Sequence, residues 1–139
     1  MTTQYKSKTP IQIRFKDLDK LGHVNNANHL TYFEIARINY FKQVIGGEIN
    51  WDKEGIILAK ITVDYKAPIL LEDSLLVYTR CSRIGNKSFD LYYSIVKIIS
   101  NTEIEVANGS SVMVCFDYLT QTSIPIPEEW KRKLIEFEK

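Results

Sequence analysis

A chain of 139 residues that is 45% hydrophobic and carries a formal charge of +1 is long enough to bury a core without disulfides or a structural metal. Both signs of charge are mixed along it, which leaves no basic stripe for nucleic acid and no footprint for an anionic membrane, so neither partner is expected. The two cysteines, Cys81 and Cys115, stand in apolar runs with no metal-ligand spacing around them, and the expectation is buried, reduced thiols in a cytoplasmic protein. The opening MTTQYKSKTP lacks the apolar core of a signal peptide, and no run approaches the roughly 18 apolar residues of a membrane span.

Residues 1–9 are polar and are expected to fray. Ile11, Ile13 and Phe15 alternate with Gln12, Arg14 and Lys16, a period of two that predicts a strand over 11–15 with one buried face. Residues 16–25 have no period, and Gly22 allows a turn that other residues resist. Asp17, Asp19, His23 and Asn25 crowd into this loop, just ahead of a helix whose first turn is its positive end.

From Ala27 to about Ile45, Leu30, Phe33, Ala36, Tyr40, Phe41 and Val44 step by three and four, and Ile35, Ile38 and Ile45 widen the arc. A helix this apolar is expected to be wrapped by the rest of the chain. Asn25 or Asn26 caps its start, and Gly46-Gly47 ends it. Four strands are predicted next, over 56–65, 75–84, 88–99 and 104–117. Gly85-Asn86 reads as a hairpin and Asn101-Thr102 as a turn. Short links make the strands antiparallel neighbours in a meander. Pro127, Glu128 and Glu129 open a short terminal helix. No repeat or second domain is visible, so residues 1–139 are read as one α+β domain, a sheet curled about one helix. Its Val- and Ile-rich edge strands are expected to be hidden by pairing with a second copy.

Arg14 to Arg37, RFKDLDKLGHVNNANHLTYFEIAR, contains the pattern R-F-x-D-x-D-x-x-G-H-V-N-N followed by H-L-x-Y-F-E-x-A-R. This resembles the hot-dog-fold acyl-CoA thioesterases of the 4-hydroxybenzoyl-CoA thioesterase type. The GHVNN part is similar to the long-chain acyl-CoA branch and to the plant acyl-carrier-protein thioesterases. The order of elements agrees from about Pro10 to Trp130. The resemblance implies a five-stranded antiparallel sheet around one long central helix, with a short C-terminal helix, assembled as a homodimer or homotetramer. It implies hydrolysis of a small-molecule acyl-CoA to the free acid and coenzyme A, with no cofactor beyond the coenzyme A of the substrate.

The same resemblance gives Asp19 the role of nucleophile or general base. The chemistry agrees, since a carboxylate beside a helix N-terminus can attack a thioester carbonyl or deprotonate a water that does. Asp17 reads as a structural carboxylate of the turn. The N–H at or close to Asn26 is implied as the donor that polarises the thioester carbonyl, while the side chains of Asn25 and Asn26 can equally do no more than cap. His23 departs from the 4-hydroxybenzoyl-CoA type, where the position is usually apolar, and agrees with the GHVNN enzymes. It can orient a water, hydrogen-bond the carboxylate, pass a proton to the leaving thiolate, or simply hold the loop.

His29 reads as structural. His23 and His29 have no third ligand near them, so no metal site is expected. Glu34 and Arg37 are three apart and can pair on one helix face; Glu34 also keeps a place as catalytic base, because related hot-dog enzymes use a helix glutamate. Gly22, Asn25 and Tyr32 are expected to border the substrate. Arg83, Lys87 and Ser88, around the Gly85-Asn86 hairpin, are the cations and hydroxyl available to coenzyme A phosphates in a chain this close to neutral. Two other functions remain open to these residues: a hydratase or dehydratase of enoyl or hydroxyacyl thioesters, and a non-catalytic acyl-thioester binding module.

Overall fold

The structure, a computed structural model, describes residues 4–47, 49–50 and 52–139. Its elements in order are β1 (Ser7–Ile11), α1 (Asn26–Val44), β2 (Gly55–Tyr65), β3 (Leu75–Ile84), β4 (Ser88–Ile99), β5 (Thr102–Asp117), β6 (Thr122–Ser123) and α2 (Glu128–Glu138). All pairings are antiparallel, in the order β1-β3-β4-β5-β2, with the two-residue β6 added beside β5. The sheet therefore has a sixth, minimal strand beyond the five expected. β3, β4 and β5 form the predicted meander, but β2 pairs with β5 rather than with its sequence neighbour β3.

The first strand lies earlier than its apolar alternation suggests. Ser7, Thr9 and Ile11 are its inward side chains, and Phe15 is 82% exposed in a single 3-10 turn. Two of the three inward positions carry hydroxyls that meet α1 by hydrogen bonds, Ser7 with Gln43 and Thr9 with Asn39. A period of two written in Ser and Thr gives no hydrophobic signal, so residues 7–9 look frayed when they are strand.

Helix α1 begins and ends where its caps predict. The Asn25 side chain accepts the Ala27 N–H at 2.9 Å, and Gly46 and Gly47 take the left-handed φ of +61° and +63° that terminates the helix. One face is buried through His29, Tyr32, Phe33, Ala36, Arg37, Tyr40, Phe41 and Val44. Leu30, Ile35 and Ile38 remain 36%, 44% and 50% exposed, so within one chain the sheet covers the helix on one side only. Phe33 stacks on Tyr93 of β4 with ring centroids 4.6 Å apart. Gly109 of β5 makes that approach possible, because a Cβ there would lie 2.2 Å from the Thr62 carbonyl oxygen and 2.7 Å from the Phe33 ring.

Arg37 is buried on the same face and donates to the Tyr93 hydroxyl at 3.2 Å, with Glu34 as its ion-pair partner at 3.7 Å. The Glu34–Arg37 pairing is as expected; the depth of the arginine is not, and Tyr93 and Ser111 supply its polar surroundings. Near the far end of α1, the Tyr40 hydroxyl donates at 2.5 Å to Glu138, which also accepts the Cys81 N–H at 2.9 Å. α2 is thereby clipped to both α1 and β3, with Trp130 and Leu134 buried beneath it. Both cysteines are free and buried, and burial pushes each thiol up to about 12, which leaves them unreactive at neutral pH. No helix among the described residues is long and apolar enough to cross a membrane.

Candidate active site

The loop between β1 and α1 is built around two carboxylates with opposite fates. Asp17 is 1% exposed and fully engaged: its Oδ2 accepts the Arg14 N–H at 3.0 Å and the Tyr32 hydroxyl at 2.8 Å, and its Oδ1 takes the Arg14 guanidinium. Its carbonyl oxygen accepts the Asn25 N–H and the Asn28 side-chain amide. Burial pushes this carboxyl upward, but the Arg14 N–H, the Tyr32 hydroxyl and the Arg14 guanidinium outweigh it and hold the group below its ordinary value. Asp17 is thus the structural post that ties the loop to the first turns of α1.

Replacing Asp17 with alanine is expected to cost roughly 2–4 kcal/mol, because the buried Tyr32 hydroxyl loses the acceptor it has among the described residues. A carboxylate whose folded pKa is depressed contributes fully above its unfolded value of about 4, and the contribution fades as pH falls through the lower folded value. The stability gap between wild type and Asp17→Ala should therefore be largest at neutral pH and narrow in acid, as followed by unfolding curves across pH.

Asp19 is exposed and half free. Its Oδ1 accepts the N–H groups of Leu21 at 2.9 Å and His23 at 3.3 Å, while Oδ2 has no partner among the described residues. Backbone bonds from Asp19 N–H to the His23 carbonyl at 2.8 Å and from Gly22 N–H to the Asp19 carbonyl at 3.1 Å close the turn, and Gly22 holds a φ of +80° that a side chain would strain. The turn is moored to the segment after β2 through Val24 N–H to the Ile69 carbonyl.

Asp19, His23, Asn26, His29, Tyr65 and Lys66, with Val24 and residues 67–69, line one cleft of about 290 Å³. Asn26 is the first residue of α1, and its N–H has no partner among the described residues, as the geometry of a helix N-terminus requires. Its carbonyl oxygen accepts the Tyr65 hydroxyl at 2.9 Å. The cleft therefore offers a carboxylate oxygen and an unspent amide donor at the positive end of a 19-residue helix.

His29 belongs to this wall. It is 3% exposed, edge-on to Tyr65 at 4.8 Å, and its Nδ1 is enclosed without a hydrogen-bond partner. Burial holds the imidazole below its usual value; the Asn25 and Asn26 carbonyls pull the other way without reaching hydrogen-bond geometry. The polar side chains missed from sequence are His29, Tyr65 and Lys66. Only its place three residues past Asn26 on the helix could have flagged His29, while Tyr65 and Lys66 arrive from the end of β2 with no motif.

Of the other expected site residues, Gly22 shapes the turn and Asn25 caps the helix, both outside the cleft lining. The His23 imidazole has no hydrogen-bond partner among the described residues, and His23 reaches Asp19 through its backbone N–H and carbonyl. Tyr32 is not on this wall: it is 2% exposed, spends its hydroxyl on Asp17, and borders a separate depression with Arg14 and Ile35. Arg83 is committed to Asp90 and Ser88, each at 2.9 Å.

The hairpin bearing Arg83, Lys87 and Ser88 lies at the opposite end of the strands from the cleft. Tyr65 is level with Ala107 and Ile95, and the run from Ser88 to Ile95 along β4 spans roughly 23 Å. Within one chain, then, these three residues and Asp19 are not brought together.

Residues 13–134 match the model of the thioesterase-like superfamily. A thioesterase from Thermus thermophilus, solved in complex with coenzyme A and zinc, shares 34% identity and superposes with a TM-score of 0.83 over 97% of this chain and 96% of the other. YsmA of Bacillus subtilis is 29% identical across 96% of this chain and 88% of its own length. The long-chain acyl-CoA thioesterase FadM of Escherichia coli is 25% identical across 91% and 96%. The chain belongs to the thioesterase-like superfamily, and its architecture is the hot-dog fold. Among the described residues no group of three or more His, Cys, Asp or Glu is gathered that could hold a metal ion.

Proposed function

We propose that the protein is a hydrolase of acyl-CoA thioesters, with Asp19 as nucleophile or general base and the Asn26 N–H as the donor to the developing oxyanion. The observation that carries this is the pairing of an uncommitted carboxylate oxygen with an uncommitted amide at one cleft. A thioester carbonyl whose oxygen rests on the Asn26 N–H presents its carbon to the Asp19 side of that cleft. Attack moves the carbonyl π electrons onto that oxygen, where the amide and the helix N-terminus stabilise them. Collapse of the intermediate breaks the C–S bond and releases the thiolate of coenzyme A, which takes up a proton. If water attacked, with its proton going to Asp19, the free acid leaves directly. If Asp19 attacked, a second step in which water hydrolyses the acyl-Asp19 anhydride frees the acid and restores the carboxylate. His23, on the same wall, is proposed to assist that transfer. The route asks for no group beyond the substrate's own coenzyme A.

A homodimer completes the reading. β2 is an edge strand of 11 residues whose outer side has no strand partner among the described residues, the kind of edge that folded proteins seldom leave open. Antiparallel pairing of β2 with β2 of a second copy sets the Gly55 end of one beside the Tyr65 end of the other. The hairpin with Arg83, Lys87 and Ser88 sits at that Gly55 end, so the second copy's hairpin would approach the cleft and could meet coenzyme A phosphates. A cytoplasmic location goes with this reading, supported by the two free buried thiols.

The test is thiol release from a panel of short, long and aromatic acyl-CoAs by the purified protein. Turnover of at least one is expected. Absence of turnover on every member, with measurable binding of a nonhydrolysable analogue, would turn the reading into that of a binding module.

A further inference from the structure

We propose that His29 is a further residue of this site, its Nε2 accepting one hydrogen of the attacking water while the other hydrogen faces Asp19. The inference rests on the hydrolytic reading above. Its starting point is a polar ring that the fold has buried at the cleft without giving it a partner: His29 is 3% exposed, Nδ1 is enclosed, and no protein hydrogen bond is made to Nε2 among the described residues. Such a group costs stability unless a ligand satisfies it.

The surroundings decide the proton's position on the ring. The backbone groups that act on the ring are the Asn25 and Asn26 carbonyls, which can only accept, and Nδ1 is the enclosed nitrogen; a neutral imidazole that keeps its proton on that side presents Nε2 as a bare acceptor. Asp19 Oδ2 is a second bare acceptor on the same cleft. Two acceptors facing one small space call for a donor with two hydrogens, and water is the smallest. Held in that way its lone pairs point away from both, toward a carbonyl seated on the Asn26 N–H. Water held in this way attacks the thioester directly, with Asp19 as general base. Its proton passes to the Asp19 carboxylate, and the imidazole only orients.

Orientation by Nε2 fails once that nitrogen is protonated. Other titratable groups share the cleft or pack on the ring: Asp19 and His23 from the loop and Lys66 from the end of β2 line the same cleft, Tyr65 packs edge-on, and Tyr32 stands at a centroid distance of 6.4 Å on its own helix. The kcat profile should therefore show an acid limb below the ordinary histidine value of about 6.5.

The experiment compares wild type, His29→Phe and His29→Gln by kcat, KM and pH profile on the best substrate of the panel, with thermal melts alongside. His29→Phe should lose roughly 10- to 100-fold in kcat with KM little changed. His29→Gln, whose carbonyl oxygen can stand near Nε2, should recover most of the rate and move the acid limb to lower pH. Wild-type kcat in folded His29→Phe, or an unshifted limb in His29→Gln, would overturn the proposal while leaving Asp19 and the hydrolytic reading intact. If the phenylalanine variant does not fold, the glutamine variant's pH profile alone decides. Absence of turnover in the wild type would instead remove the parent reading.

Discussion

Replacing Asp19 with asparagine is expected to lower kcat on acyl-CoA by about 10³-fold, the range seen when a positioned acid–base group is lost. The substitution isolates the chemistry because the turn should survive it: the amide oxygen of asparagine can still accept the Leu21 and His23 N–H groups that now bond Oδ1. What disappears is the charge and basicity of Oδ2. KM should change little, since an exposed side chain whose second oxygen has no partner among the described residues has small influence on ground-state binding. Full activity in Asp19→Asn would sink the assignment. Label found in Asp19 after a single turnover in ¹⁸O-water identifies the nucleophilic role. If Asp19 only deprotonates water, label enters the acid product alone, whereas hydrolysis of an acyl-Asp19 anhydride at the protein carbonyl places label in Asp19.

Asn26→Pro should cost about 10²- to 10³-fold in kcat, near the 3–4 kcal/mol assigned to a single oxyanion donor, while leaving the protein folded. Proline is favoured at the first position of a helix, where its missing N–H has no intrahelical acceptor to lose. Asn25, at φ −61° and ψ 140°, already has the extended conformation required of a residue before proline. The companion Asn26→Ala keeps the backbone donor and should keep most of the activity. A proline variant as fast as the alanine variant would show that the amide is not the oxyanion contact.

Which parts of this architecture could be read from sequence follows from how each is encoded. The long strands and both helix limits were legible because they are written in hydrophobic period, capping asparagine and terminal glycine. The turn before β5 falls at Ser100-Asn101, with φ of 49° and 63°, one residue ahead of the Asn101-Thr102 expected. β1 lies ahead of its hydrophobic signal because two of its three inward side chains are hydroxyls, and the place of β2 beside β5 has no local signature at all.

The site shows the same division. Asp19, Gly22, His23 and Asn26 form one contiguous motif, so the loop could be recognised. Tyr65 and Lys66 come from a distant strand end, His29 looked like an ordinary helix residue, and Tyr32 looked like a substrate contact until its hydroxyl was seen on Asp17. Arg83 and Lys87 were attractive as cations, but the strand register places them far from the cleft of their own chain.

Tyr32 and Tyr40 act together on α1 as two bearings on a shaft. One hydroxyl is seated on Asp17 and the other on Glu138, so the rod has little freedom to slide or roll along its axis. Loosening the rear bearing, as by Tyr40→Phe, would let axial play travel forward. It would be felt about 21 Å away, where the leading amide must meet a carbonyl within tenths of an ångström.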